Sequence, residues 1–244
     1  MARRSRKPDM EAEQAKMTTT KSAIAALRAE GDTAKASELH RYHKIDRPYV
    51  GISNTALDDL VKEWRAIMDL ETRLTVARGL WKSNIHEGRI AAAKLLTQAR
   101  IRPDDTAAWD LIAAWVADLD GATIADHVCV AGAKRLVADP ARLDQVAGWA
   151  KSDQMWTRRA ALMMTLPWTK MNNPKADDIA IRERVLDWAA GYVTDHDWFI
   201  QKAIGGWLAE LAKHDPARVQ AFVTRHGADM KPSAVKEATR KLES

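Results

Sequence analysis

The 244-residue sequence predicts an all-α solenoid built from two-helix repeats, and three observations lead to this fold class. Residues that favour helices, above all alanine, leucine, lysine, arginine and glutamate, dominate the chain, and runs of β-branched residues are rare. Tryptophans recur at near-constant intervals through the middle of the chain, and a short polar turn and a second helical segment follow each of them. A fixed period in the thirties with two helices per unit is typical of an α-solenoid.

The tryptophan interval defines the repeat. Trp81, Trp115 and Trp149 are spaced by 34 residues each, and Trp188 follows after 39, with the surplus in the loop 169–178. We expect each tryptophan to end a helix and to pack in a seam between helices, because large aromatic side chains mostly serve packing. The pattern predicts HEAT-like repeats stacked into a right-curving superhelix with a concave basic groove.

The two ends of the chain differ in character. Residues 1–18 are polar, charged and without period, which predicts a disordered basic tail. Residues 19–244 are expected to form a single HEAT-like solenoid domain. The net charge of +5 permits a polyanionic partner without requiring one, because the position of charge matters more than its total.

Several classes of protein are disfavoured by what the sequence lacks. The single Cys129 lies in an apolar run, which predicts a buried structural thiol and fits a reducing cytoplasm. No apolar stretch approaches the ~18 residues that a membrane span needs, so no membrane partner is expected. Walker, GxGxxG, HExxH and CxxC motifs do not occur, so the sequence predicts no cofactor and no metal site.

Charged residues recur at comparable points near the start of the second helix of each repeat. In a solenoid these positions lie along one inner edge, where they suit a long, curved partner. As a group they predict a basic groove containing one acid, whereas each residue alone could be an ordinary solvated helix charge. The residues are Arg89, Asp126, Arg158, Arg159 and Lys202.

Three segments together resemble the AlkD-like family of bacterial DNA alkylation repair proteins. The segment 198–205 reads WFIQKAIG and is similar to the FIQKAIGW helix of that family. The segment 149–161 resembles its W-x-x-S-x-x-x-W-x-x-R-A-A pattern, and the segment 42–53 resembles its Y-x-K…GI stretch. The resemblance covers about residues 20–244 and implies a DNA-binding member of that family.

Members of that family are HEAT-like solenoids that hold duplex DNA in a concave basic groove. The founding members excise positively charged N3- and N7-alkyl purines and leave the damaged base stacked, unlike base-flipping glycosylases. The catalytic aspartate of the family matches Asp126, and its DNA-contacting arginine matches Arg159. Gln201 and Lys202 match family residues that we take as backbone contacts, and Arg158 is expected to hold phosphate beside Arg159. The resemblance further implies a monomeric, cytoplasmic bacterial protein that associates with the nucleoid when bound to alkylated duplex DNA.

The sequence departs from the family at two tryptophans that frame the lesion in active members. One falls at Ala122 and the other at Gly206, with Trp207 one position further on. One residue along a helix turns a side chain by about 100°, so Trp207 is not an automatic substitute. The candidates for a replacement ring in the lesion pocket are Trp156, Trp198 and Trp207.

Three functions are compatible with this pattern. The first is a DNA glycosylase that hydrolyses the N-glycosidic bond of cationic alkylpurines, with Asp126 stabilising the sugar cation. The second is a non-catalytic HEAT-like binder of damaged or structured DNA that uses the same groove. The third is a HEAT solenoid that scaffolds other proteins.

Overall fold

The computed structural model describes residues 19–242, and every regular element within them is helical, which confirms the all-α class. The predicted tail 1–18 lies outside the described residues. The α-helices are α1 (Thr20–Ala29), α2 (Thr33–His43), α3 (Asn54–Ile67), α4 (Leu70–Lys82), α5 (His86–Leu95), α6 (Thr106–Val116), α7 (Ala122–Ala138), α8 (Leu143–Trp149), α9 (Met155–Met163), α10 (Leu166–Thr169), α11 (Ala176–Ala190), α12 (Trp198–Ala212), α13 (Pro216–His226) and α14 (Pro232–Thr239). A 3₁₀ turn at Pro140–Arg142 precedes α8.

The chain divides into two compact units. The first unit ends at Ala131 and the second begins at Gly132, so the boundary falls within α7. The expectation of one solenoid domain over residues 19–244 stays a prediction.

The repeat inferred from tryptophan spacing corresponds to real helix ends. Trp81 and Trp115 lie in the last turns of α4 and α6, Trp149 is the last residue of α8, and Trp188 lies in the last turn of α11. A short turn and a further helix follow each of them, as predicted. Cys129 is buried, as its apolar neighbours indicated.

In the first unit, two repeat tryptophans stack on each other. The rings of Trp81 and Trp115 lie 4.5 Å apart between centroids and are nearly parallel, at 10°. Nε1 of Trp81 donates a hydrogen bond to Oδ2 of Asp118 at 3.1 Å. The guanidinium of Arg89 covers the Trp81 ring at 4.6 Å and donates to the carbonyl oxygens of Trp81 and Asp118. Arg89 therefore joins the end of α4 to the turn before α7.

In the second unit, α12 is the central element, because it packs against α9, α10, α13 and α14. Its buried face carries Ile204, Trp207, Leu208 and Leu211, spaced at i, i+3, i+4 and i+7. The carboxylate of Asp197 caps the helix by accepting from the backbone nitrogen of Phe199 at 2.7 Å. The helix start is thereby fixed next to the turn that precedes it.

Two consecutive glycines in α12 have opposite surroundings. A Cβ added at Gly205 would lie 2.9 Å from the carbonyl oxygen of Ala234 and 3.2 Å from its Cα. A Cβ added at Gly206 would meet nothing within 4 Å. Gly205 therefore permits the close approach of α12 and α14, whereas Gly206 borders open space.

This difference makes a matched pair of variants informative. We expect Gly206→Ala to raise the free energy of unfolding by up to about 1 kcal/mol, because alanine favours the helix interior over glycine. Gly205→Ala should lower it, because the rigid backbone of Ala234 cannot yield to the added methyl group. Urea unfolding of both variants measures this, and equal effects at the two positions would contradict the packing described here.

Candidate nucleic-acid interface

A cavity of about 400 Å³ in the second unit gathers several of the residues predicted from sequence. It lies among α9, α12 and the start of α14, and Arg159, Trp198 and Lys202 are all on its wall. The full lining is Arg159, Met163, Trp198, Lys202, Ala203, Gly206, Ser233, Ala234 and Glu237. Its wall thus combines two cationic side chains, one carboxylate, one hydroxyl group, one indole ring and several small or apolar residues.

Two cation–aromatic pairs hold the charged side chains at this cavity. Nζ of Lys202 lies 4.7 Å from the ring centroid of Trp198, which is 53% exposed. The guanidinium carbon of Arg159 lies 5.7 Å from the ring of Trp156, and that ring packs on Phe199 at 4.7 Å. A cation over an indole face keeps its charge while its position becomes restricted. Lys202 is exposed and could meet an anionic ligand, whereas Arg159, which also lines the cavity, is only 6% exposed.

Gly206 leaves the cavity open at one point. The resemblance places a lesion-framing tryptophan at this position, and no atom other than its immediate neighbours lies within 4 Å of where a Cβ would stand. The glycine therefore leaves open the space that a tryptophan ring at position 206 would occupy. The cavity has the exposed indole of Trp198 on its wall and no aromatic side chain at 206.

Arg158, predicted to hold phosphate, makes its contacts within the protein. Its Nη2 donates to Oδ2 of Asp195 at 2.7 Å, which is also an ion pair. Its Nη1 donates to the carbonyl oxygens of Ser152 at 2.9 Å and Asp153 at 2.8 Å. Arg158 therefore joins the turn before α9 to the turn before α12. Because its guanidinium already bonds three protein oxygens, we assign Arg158 to the framework of the unit and not to the candidate interface.

Gln201, predicted to contact the DNA backbone, is 1% exposed. Its Nε2 donates to the carbonyl oxygens of Val193 at 2.9 Å and Asp195 at 2.8 Å. Its Oε1 accepts from the backbone nitrogen of Lys231 at 2.9 Å. Because the amide is buried and hydrogen-bonded at both ends, we assign Gln201 to the framework of the unit and not to the candidate interface.

Trp207, a candidate for the lesion pocket, is fully buried, and its Nε1 donates to Oγ1 of Thr165 at 3.1 Å. A ring with no exposed surface does not line an open cavity, so we leave Trp207 out of the candidate interface. The sequence carried a signal for this burial. Trp207 shares the i, i+3, i+4, i+7 spacing of Ile204, Leu208 and Leu211, which is typical of a core-facing stripe.

In the first unit, Asp126 lies on the exposed side of α7, while Ile124 and Ala125 face the core. The pKa of the neighbouring His127 depends on the charges around Asp126. Burial lowers the pKa of His127, the Lys94 ammonium lowers it further, and the carboxylate of Asp126 acts in the opposite direction. Asp126 is thus an exposed carboxylate in a mixed-charge neighbourhood, where Lys94 also pairs with Asp58.

A ring cluster in the first unit was not predicted from sequence. The ring of His86 lies 4.4 Å from that of His43 and stacks on that of Tyr49 at 4.8 Å. His86 is 3% exposed, and burial, reinforced by the charges of His43 and Arg47, lowers its pKa to about 3. The cluster joins the Y-x-K…GI segment to the start of α5, so this segment has a packing role in the first unit.

The buried His86 makes stability depend on pH. In the unfolded chain it binds a proton near pH 6.5, and in the folded chain only near pH 3, so the unfolded state holds more protons between these values. The free energy of unfolding should therefore fall as pH decreases from about 6.5 toward 3, by up to about 1.4 kcal/mol per pH unit from this group. His86→Phe should reduce that slope in urea unfolding across the same range. An unchanged slope would show that His86 is not held neutral by burial.

The described residues contain no helix long and apolar enough to cross a membrane. Between positions 19 and 242 there is also no group of three or more His, Cys, Asp or Glu side chains that could hold a metal ion.

The helices and their repeat define an all-α protein of the helical-repeat class. The family described as DNA alkylation repair enzyme matches residues 23–242, so the chain belongs to the DNA alkylation repair enzyme family. A comparison with curated proteins found no match.

Two solved structures are similar to this chain. One is described as a predicted DNA alkylation repair enzyme from Enterococcus faecalis; it has 18% identity and a TM-score of 0.72, and the match covers 86% of this chain and 96% of that one. The other is AlkD2 from Streptococcus mutans, with 16% identity, a TM-score of 0.56, and coverage of 84% and 96%. At these identities the likeness shows the fold, and it confirms the predicted HEAT-like solenoid class.

Proposed function

We propose that this member of the DNA alkylation repair enzyme family is a DNA glycosylase that hydrolyses the N-glycosidic bond of cationic alkylated purines in duplex DNA. The observation that carries the proposal is the cavity of the second unit, where Arg159, Trp198 and Lys202 share one wall. The sequence resemblance implies DNA contact for Arg159 and Lys202, and Trp198 is one of the candidate rings for the lesion pocket. A cavity with clustered cations and an exposed indole suits a phosphate backbone beside a cationic base.

The proposed chemistry needs little from the protein, because a cationic purine is already a good leaving group. As the bond between C1′ and the base nitrogen breaks, its electron pair goes to the base and positive charge develops on the sugar. The carboxylate of Asp126 stabilises that charge and orients a water molecule, whose oxygen then bonds to C1′. The water loses its proton to the carboxylate or to solvent. An exposed carboxylate such as Asp126 is accessible to a DNA backbone.

The remaining residues position the DNA. In this proposal, Lys202 and Arg159 bind phosphate oxygens, which fixes the register of the duplex without reading its sequence. The indole face of Trp198 packs beside the lesion nucleotide, where its negative π-face favours a cationic base. Trp156 acts indirectly, since its ring holds the guanidinium of Arg159.

A second candidate, a non-catalytic binder of damaged or structured DNA, is favoured by one observation. The position of a lesion-framing ring is Gly206, which borders open space, and the adjacent Trp207 is buried in the core. Ala122 stands at the other such position. A binder would keep the cations of the cavity and need neither ring, so base release distinguishes the two candidates.

Asp126→Asn tests the catalytic assignment. We expect this variant to bind methylated duplex DNA about as tightly as wild type and to lose release of 7-methylguanine and 3-methyladenine, because the amide cannot stabilise the sugar cation. Chromatography of released bases under enzyme excess measures this. Asp59→Asn is the matched control, since Asp59 is an exposed carboxylate on α3 of the same unit and should retain release. Equal release by wild type and Asp126→Asn would contradict the catalytic role, and no release by folded wild type would favour the binder.

Lys202→Gln tests the interface. The DNA-binding constant K falls as salt rises, and loss of one phosphate contact should make the plot of log K against log salt less steep by about 0.9. It should also weaken DNA binding about eightfold at 0.1 M salt. Lys236→Gln is the control, because Lys236 is exposed on α14 of the same unit and does not line the cavity. Fluorescence anisotropy at several salt concentrations gives both values. Equal slopes for the two variants would remove Lys202 from the interface.

A further inference from the structure

A second cavity, of about 610 Å³, lies in the first unit and has two arginines on its wall. Two arginines and a histidine line it together with two hydroxyl-bearing residues, and no carboxylate is among its lining residues. The lining is Ala36, Ser37, His40, Arg41, Arg47 and Tyr49. Such a wall is suited to an anion and unsuited to a cation.

Arg47 is the unusual member of this wall. Its side chain is only 2% exposed, and its Nη2 donates to Oδ2 of Asp120. Its Nε and Nη1 are buried and have no hydrogen-bond partner among residues 19–242. A buried polar group left without a partner costs free energy, so such groups normally have one in a native state. The free donors of Arg47 therefore indicate a missing acceptor.

The loop that carries Arg47 is held firmly. Both oxygens of the Glu87 carboxylate accept backbone hydrogen bonds, from Val50 at 3.1 Å and from Gly51 at 2.7 Å. At the other end of the loop, Ile45 packs so closely on Gly121 that a Cβ there would lie 2.6 Å from its Cδ1. Arg47 is thus positioned before any ligand arrives, which reduces the entropic cost of binding.

The surroundings of Tyr49 argue against a nucleobase as the ligand. Its ring already packs on His40 at 5.7 Å, on His43 at 6.0 Å and on His86 at 4.8 Å. A base would have to displace these rings in order to stack. The free donors belong to guanidinium groups, whose fork geometry matches phosphate oxygens.

We propose that this cavity is a phosphate-binding site, with Arg47 and Arg41 as its principal donors and His40 beside them. If the proposed function holds, on which this part rests, the phosphate belongs to the backbone of the bound DNA. The site would then add a contact in the first unit to the contacts of Lys202 and Arg159 in the second. A small phosphate-bearing molecule would satisfy the same donors.

Arg41→Gln is the informative variant, because the Arg41 side chain is exposed. Its Nε donates to the carbonyl oxygen of Ser37 at 3.3 Å. We expect duplex DNA binding to weaken about eightfold at 0.1 M salt, and the plot of log K against log salt to become less steep by about 0.9. Arg28→Gln is the matched control, since Arg28 is an exposed arginine of the same unit outside the cavity. Asp120→Asn should act in the opposite direction and tighten binding, because it removes the negative charge beside Arg47.

A titration of the same proteins with inorganic phosphate, followed by NMR at constant ionic strength, identifies the source of the phosphate. Weaker DNA binding by Arg41→Gln alone supports a backbone phosphate. Unchanged DNA binding, with inorganic phosphate bound by wild type and lost in Arg41→Gln, supports a small phosphate ligand at the proposed site. If Arg41→Gln and Arg28→Gln bind DNA alike and wild type binds no phosphate, the proposal is overturned. Failure of wild type to bind DNA would count against the proposed function, while the phosphate titration would still test this site.

Discussion

The turn before α12 depends on one partly buried polar network, and the candidate interface of the second unit depends on that turn. Asp195 is its centre, with Oδ2 accepting from Arg158 at 2.7 Å and Oδ1 accepting from the backbone of Asp197 at 2.8 Å. Burial alone would raise the pKa of Asp195, but the hydrogen bonds from Asp197 and Arg158 outweigh it and lower the pKa. The amide of Gln201 binds the carbonyl oxygen of Asp195 from the other side. This network fixes where α12 begins, and thus where Trp198 stands.

Much of this architecture could be predicted from the sequence, because it follows from periodicity. The 34-residue interval located the ends of three helices and Trp188, 39 residues further on, located a fourth, since a residue that fills a seam in one repeat fills it in the next. Single side chains could not be assigned in this way. Arg159 and Lys202 line the cavity, whereas their neighbours Arg158 and Gln201 do not and instead hydrogen-bond to the turn before α12. A helix turns by about 100° per residue, so these roles depend on tertiary partners that no motif records.

Arg47 and the His86 ring cluster are even harder to predict from the sequence than the side chains of the candidate interface. Their partners come from distant parts of the chain, such as Asp120 for Arg47 and Tyr49 for His86. Nothing in local spacing distinguishes a buried arginine with free donors from a solvated one. Sequence resemblance singled out the segment 42–53, but its physical role is visible only in the structure, as a loop held by Glu87, a neutral imidazole and an arginine-lined cavity.

We propose a division of labour in which Arg158 and Gln201 hold the turns of the second unit together, while Lys202 and Arg159 on the cavity wall contact DNA. Arg158 tests this proposal most directly, because its position in the repeat beside Arg159 predicts a phosphate contact and the structure shows it bonded to Asp195. The decisive measurement is the dissociation constant of folded Arg158→Gln for duplex DNA, with its free energy of unfolding measured alongside. We predict an unchanged dissociation constant and a loss of about 1–3 kcal/mol of stability. Full stability with DNA binding weakened about eightfold at 0.1 M salt would contradict the account.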